Sequence, residues 1–132
     1  MSRLKVFIRS PQQRHKLLRF TTVGRKKPIT RHAAVIIEAK YLELLRRGYE
    51  VTVGRTGDKE IDFVCDKRGE KLYVQVCYLL ASDETVNREF GAYDSIRDNF
   101  PKYVVSLDEF DMSRNGIKHR NVRDFLLAEE WN

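Results

Sequence analysis

Apolar residues keep no lasting period in the first thirty positions. From residue 32 onward they fall into runs that each specify one element. Ala34, Ile37, Tyr41, Leu44 and Leu45 recur at helical spacing, so 32–47 is predicted to form an amphipathic helix that Gly48 closes, with Arg46 and Arg47 suited to its C-terminal dipole. Tyr49-Glu-Val-Thr-Val53 alternates as a strand, and Gly54 with Gly57-Asp58 reads as a turn. Glu60–Cys65 forms a second strand and Lys71–Leu79 a third, separated by Asp66-Lys-Arg-Gly69. Links this short join antiparallel neighbours, which makes the three a meander. Asp83 reads as the N-cap of a helix carrying Val86, Phe90, Tyr93 and Ile96, broken by Asn99 and Pro101. Tyr103–Leu107 is a fourth strand, and a turn at Ser113-Arg-Asn-Gly116, a brief extended piece and a short helix from Val122 to Leu127 complete the pattern. The expected fold class is α/β, in the order helix, three-strand antiparallel meander, helix, strand, plus a short C-terminal helix. Before residue 32, Leu4, Val6 and Phe7-Ile8 suggest a strand and Leu17-Leu18 with Phe20 a helical turn, but Pro11, Gly24 and Pro28 interrupt both.

Composition changes this picture in two ways. A chain of 132 residues, 42% hydrophobic, has enough apolar material for a single core. No apolar run approaches the roughly 18 residues that span a bilayer, and the charged N-terminus has no signal-peptide stretch, so a cytoplasmic protein without a membrane partner is expected. Cys65 and Cys77 fall on or beside buried strands and read as reduced packing thiols. His15, His32 and His119 are too scattered for a zinc site. The net charge of +6 is unevenly spread. Residues 1–31 hold ten Lys or Arg and no acid, leaving 15 basic and 19 acidic groups, a net −4, on the remainder. The chain therefore divides into a basic arm, 1–31, and a mildly acidic domain, 32–132. Within the arm, Arg14, Lys16, Arg19, Arg25, Lys26, Lys27 and Arg31 form the candidate nucleic-acid contact, since such a stretch can displace counterions from a phosphate backbone. The plain alternative is a solvated linker.

Three polar residues break the apolar pattern of their elements. Glu38 lies on the flank of the helix's apolar sector, between Leu45 and Leu42 on a wheel. There it is either half-buried toward the sheet or reaches out from a rim, where it could pair with Lys40 or Arg46. Asp62 is embedded among Ile61, Phe63 and Val64, and burying an aspartate costs several kcal/mol unless it is paired or holds a metal. Strand parity puts it with Glu60 and Val64, opposite Ile61, Phe63 and Cys65. On the next strand Gln75 and Cys77 share a face with Tyr73, with Leu72, Val74, Val76 and Tyr78 on the other.

An aspartate on one strand, a polar pair two residues apart on the next and a helical glutamate have the geometry of a metal-dependent phosphodiesterase. Carboxylates there hold Mg²⁺ or Mn²⁺, and a lysine at i+2 of the second acid steadies the attacking water. The element order and these residues resemble the PD-(D/E)XK, or restriction-endonuclease-like, superfamily. Measured against it, Glu38 and Asp62 match, as catalytic and metal-binding residues. Gln75 stands at the second acid and Cys77 at the lysine. A closer resemblance runs over about residues 35–128. Glu38, Tyr41-Leu-Glu-Leu-Leu-Arg-Arg-Gly-Tyr-Glu-Val-Thr-Val-Gly54, Lys59-Glu-Ile-Asp-Phe-Val64, Tyr73-Val-Gln-Val76, Glu89-Phe90-Gly91, Asp98-Asn-Phe-Pro-Lys-Tyr103 and Ser113-Arg-Asn-Gly-Ile-Lys-His119 together resemble the uncharacterised C-terminal domain of prokaryotic AAA-type P-loop ATPases. That family usually reads Glu-Asn-x-Val-Tyr at the first helix, where this chain has Glu38-Ala-Lys-Tyr-Leu. No Gly-rich phosphate loop is present, so no ATPase is expected on this chain, which would be a solitary copy of the domain or a truncated relic.

The resemblance implies a nuclease-like domain. Gln75 adds no charge to a metal, and Cys77 cannot replace a lysine. The expectation is a non-catalytic domain, without a cofactor, that binds nucleic acid or docks to a protein partner. Tyr78, Tyr93, Phe110 and Trp131 are the aromatics available for docking. The alternatives are an active nuclease using Mg²⁺ or Mn²⁺ with Glu38, Asp62 and Gln75, or a relic with no nucleic-acid role.

Overall fold

A computed structural model describes residues 31–56 and 59–132, with side chains from Ile37 onward on the first helix. Arg14, Lys16, Arg19, Arg25, Lys26 and Lys27 therefore lie outside the described residues, as do the strand and helical turn expected before residue 30. Helix α1 (Arg31–Arg46) leads into strands β1 (Glu50–Thr56), β2 (Lys59–Lys67) and β3 (Glu70–Val76). Helix α2 (Asp83–Gly91), strands β4 (Lys102–Ser106) and β5 (Lys118–Asn121) and helix α3 (Val122–Leu127) follow. The five strands form one mixed sheet in the order β1-β2-β3-β4-β5. The first three are antiparallel neighbours, as their short links require, while β3–β4 and β4–β5 are parallel. A parallel neighbour cannot be reached by a hairpin, and the chain between β3 and β4 crosses over through α2.

Each face of the sheet carries its own apolar cluster. On one, Ile37, Tyr41 and Leu44 of α1 and Phe125 of α3 pack with Phe63, Cys65, Leu72, Val74, Val76, Tyr103 and Trp131. On the other, Val86 and Phe90 of α2 pack with Ile61, Tyr73, Tyr93, Val104 and Ile117. The result is an α/β sandwich with the sheet between two helical layers.

Several boundaries differ from the sequence expectation. Ser82, rather than Asp83, caps α2, and its hydroxyl accepts from Thr85 N–H at 3.1 Å. That leaves Asp83 and Glu84 in the first turn, where the helix dipole favours them. The helix ends at Gly91, not near Ile96, because the following bonds (Tyr93 N–H to Phe90, Asp94 to Gly91, Ile96 to Tyr93) close tighter turns. Tyr93 is still buried. β3 stops at Val76 rather than Leu79, and the extended piece before α3 is a full sheet strand, β5. Arg31 belongs to α1 rather than to the arm.

The correction that matters most is in β2. Thr52 pairs with Val64 and Gly54 with Ile61, so Asp62 and Phe63 together face one residue, Val53. This is a β-bulge, a device that re-aims side chains and bends the strand. It breaks the simple alternation: Ile61 and Val64 join the α2 side, while Phe63 and Cys65 join the α1 side. Gly54 is therefore inside β1 and not in a turn. A Cβ there would lie 2.5 Å from Val64 Cγ2 and 3.3 Å from Ile61 Cβ. Gly54→Ala is expected to destabilise the fold by about 1–3 kcal/mol through overpacking. Chemical denaturation would measure this, and an unchanged midpoint would mean that the strands are not packed this closely.

Candidate functional site

β2 and β3 form a ladder from Lys67↔Glu70 to Phe63↔Val74 and pair no further. β3 continues against β4 as far as Val76↔Val105. The bulge at Asp62 thus sits at a fork between two parting strands. Asp62 N–H donates to Gln75 Oε1 at 2.6 Å, and Val76 N–H donates to Asp62 Oδ2 at 2.8 Å. Two polar side chains replace the backbone bonds that the fork gives up, so the exposed ends of the ladder are satisfied although buried. Gln75 Nε2 makes a longer contact, 3.4 Å, with Glu89 Oε2, and Glu89 Oε1 lies 3.5 Å from Arg88 Nη2. Asp62, Gln75 and Glu89 are all buried.

Helix α1 adds a residue that the hydrophobic pattern did not single out. Lys40 is 0% exposed, and its ammonium has no hydrogen-bond partner among the described residues. Burial pulls its amine down to about 7, opposed in smaller measure by the electrostatic influence of Cys77 and then of Asp62. Glu38 is also buried. At 100° per residue Glu38 and Lys40 fall on opposite flanks of the Ile37–Tyr41–Leu44 stripe, so they cannot face one another. Cys77 follows the last residue of β3, where its N–H donates to Val105 O at 3.0 Å. Burial first, then the charges of Glu89 and Asp108, pushes its thiol up to about 12. At neutral pH it is no thiolate nucleophile.

Of the residues singled out by sequence, Asp62 and Gln75 are in direct contact, and Cys77 lies two residues further along the chain, just past the end of β3. Lys40 and Glu89 were missed. Both left a signal: Lys40 lies three residues after Ile37 and four before Leu44, and Glu89 three after Val86, so each is a charge on a core-facing stripe. The donor set does not fit a divalent ion. Mg²⁺ and Mn²⁺ need several oxygens free to converge. Here the Gln75 oxygen is held by Asp62 N–H, and one Asp62 oxygen by Val76 N–H. The Lys40 amine is felt by the same carboxylate. Among the described residues no group of three His, Cys, Asp or Glu side chains is placed to hold a metal.

A second polar cluster imitates a catalytic triad without its chemistry. His119 Nδ1 accepts from Met112 N–H at 3.2 Å, which leaves the proton of the neutral ring on Nε2, donated to Ser106 Oγ at 2.8 Å. Ser106 Oγ in turn donates to Asp108 Oδ2 at 2.7 Å. The imidazole has no free lone pair for the serine proton, so the set braces β4 against β5. Burial lowers the His119 pKa, against the opposing pull of Asp108 and Asp111. A cavity of about 230 Å³ near the last residues is lined by Tyr103, Lys118, Arg120 and Trp131 among others, and by no residue of the fork.

No protein-family model matches the chain, and no solved structure matches it. Over 88 residues it is 38% identical to an uncharacterised protein of Haemophilus influenzae, a match covering 66% of this chain and 21% of that protein. The chain thus spans about a fifth of the length of the curated relative it matches. No described helix is long and apolar enough to cross a membrane.

Proposed function

We propose that this chain is a non-catalytic, nuclease-like module of the PD-(D/E)XK kind that binds nucleic acid through its basic arm. The observation that carries the reading is the engagement of Gln75. Where an active enzyme would present a second free carboxylate, a neutral amide bridges Asp62 N–H and Glu89 across the fork. The order of helix, antiparallel meander, crossover helix and parallel strand supports the nuclease-like core, as does a bulged aspartate beside the fork. A match to one fifth of a longer protein supports a domain that works attached to others, as the resemblance to an ATPase C-terminal domain implies.

The purified chain is expected to leave DNA and RNA intact in Mg²⁺ or Mn²⁺. Divalent-dependent cleavage that vanishes in Asp62→Ala but survives in the remote Glu129→Ala would overturn the non-catalytic reading. Binding to duplex DNA should weaken with salt at a log–log slope of about −4, if four or five of the arm's cations reach phosphates, with little sequence preference. Replacing Arg14, Lys16, Arg19, Arg25, Lys26 and Lys27 by glutamine should flatten that slope. An unchanged slope in the glutamine variant would remove the arm from the interface.

A second reading, docking to a protein, is favoured by Tyr78 and Leu79, 42% and 43% exposed, and Phe110, 80% exposed. Tyr93 and Trp131, the other two aromatics expected at such a surface, are in the core. No salt-dependent affinity for nucleic acid at all would favour docking.

A further inference from the structure

We propose that the chain's own basic arm docks on the end of the sheet where β3 and β4 finish. Two segments make that surface, 77–85 after β3 and 106–113 at the end of β4. The first carries Asp83 and Glu84, the second Asp108, Glu109 and Asp111, and neither contains Lys, Arg or His. They are locked side by side: Leu107 N–H donates to Tyr78 O at 2.9 Å, and Leu80 N–H to Asp108 Oδ2 at 2.7 Å. Asn121 Nδ2 holds the second segment again, at Leu107 O (3.1 Å) and Asp108 O (3.3 Å). Exposed on this frame are Tyr78, Leu79 and Phe110, together with Asp83, Glu84, Glu109 and Asp111. Apolar side chains set among carboxylates suit a basic segment that carries apolar side chains of its own.

The chain carries such a segment. Arg14, Lys16 and Arg19 are interleaved with Leu17, Leu18 and Phe20, and residues 1–31 hold ten basic groups and no acid against the net −4 of the remainder. The fold puts the arm's point of attachment at the right end. Helix α1 turns back into β1 within a few residues, where Tyr49 N–H donates to Leu44 O at 3.0 Å. β1 and β3 are both antiparallel to β2, and β4 is parallel to β3, so β1, β3 and β4 finish at one end of the sheet and α1 starts there. The 16 residues of α1 span about 24 Å and the 7 of β1 roughly 23 Å, which brings Arg31 level with the strand ends. From β1 to β4 the sheet is about 14 Å across, whereas the chain from Phe20 to Arg31 can extend roughly 36 Å. Tethering at this range gives an effective concentration on the order of mM, so weak contacts suffice. Glu109 has an exposed pair with Arg123 at 3.4 Å, weak enough to yield to a competing cation. The inference goes beyond a nucleic-acid role for the arm, because the domain then holds the same cations until phosphates compete for them.

Backbone amide shifts of the full chain, read by NMR, test the docking. Wild type is compared with the variant in which Arg14, Lys16, Arg19, Arg25, Lys26 and Lys27 are glutamine. At low salt the amides of 77–84 and 107–111 should be displaced between the two, while those of the β2–β3 hairpin, at the opposite end of the sheet, stay in place. At about 1 M salt, where the screening length falls to roughly 3 Å, most of that displacement should be lost. In a chain carrying Glu84→Gln, Glu109→Gln and Phe110→Ser, all exposed positions whose replacement leaves the core intact, neutralising the arm should no longer move these amides. Superimposable amides at 77–84 and 107–111, or displacements spread evenly over the domain, would overturn the proposal. So would a displacement that grows with protein concentration, since the arm of a second copy would then be the occupant. No sample contains nucleic acid, so the docking and the arm's affinity for DNA can fail separately.

Discussion

Lys40→Met is expected to stabilise the fold at neutral pH by about 2–4 kcal/mol, against the usual direction of a core substitution. The amine falls from 10.5 to about 7 on burial, so folding works against its protonation. In the unfolded chain the group binds its proton near 10.5, and in the folded chain only near 7. The unfolded state therefore holds more protons between these values, and wild-type stability rises with pH across that window. The penalty is absent above about 10.5, grows as pH falls and is complete below about 7. Methionine fills nearly the same volume without the charge, so its advantage should be largest at pH 6–7 and shrink toward pH 10. Urea unfolding of both proteins at several pH values measures this. A variant less stable than wild type at pH 7 would mean that the amine is better solvated or better paired than its burial implies. Stabilisation on removing a polar side chain is what a residue kept for its site, rather than for its packing, should give.

Trp131→Ala should have a comparable effect of opposite sign, a loss of about 3–5 kcal/mol. The indole stacks on Phe125 at 4.6 Å between centroids with 7° between planes, and donates from Nε1 to Phe125 O at 2.7 Å. The Arg47 guanidinium lies 3.9 Å from its centroid and donates to Leu126 O at 3.0 Å, tying the end of α1 to α3. Removing the ring opens a cavity in the larger apolar cluster and strips the cation–π partner from Arg47. A docking residue on the surface would behave differently, losing affinity for a partner while leaving the melting curve in place. Differential scanning calorimetry separates the two outcomes.

Much of this was legible in the chain. The run from Ala34 to Leu45 specified a helix because apolar residues at three- and four-residue spacing have only one way to share a face. Asp66-Lys-Arg-Gly69 specified a hairpin, and Arg68 and Gly69 do take positive φ of 54° and 84° between paired strands. Asp62 and Gln75 stood out as polar residues in apolar strands, and they do meet. Two readings fell short where local pattern gives way to long-range pairing. β5 reads Lys-His-Arg-Asn, with nothing apolar to announce it, and is a strand because β4 offers it an unpaired edge. Trp131 was counted among the aromatics available for docking, but Phe125 of α3 stacks on it and Arg47, just past the end of α1, covers it.

What the sequence by itself determined is the succession of helices and strands, the antiparallel meander and the identity of the residues that do not belong to the apolar pattern. These follow from periodicity and from turn lengths, which act within a few residues. Only the tertiary structure decided how those residues meet. A single extra residue in β2 reverses the alternation at Asp62, and whether a strand bulges is set by its neighbour, here by the space that Gly54 leaves opposite Val64 and Ile61. The burial of Lys40 is likewise decided in three dimensions: its spacing from Ile37 and Leu44 points to the core, but a lysine near a helix flank stays solvated until the sheet closes over it. Burial then holds its amine well below the ordinary lysine range, because desolvation and charge act through space rather than along the backbone.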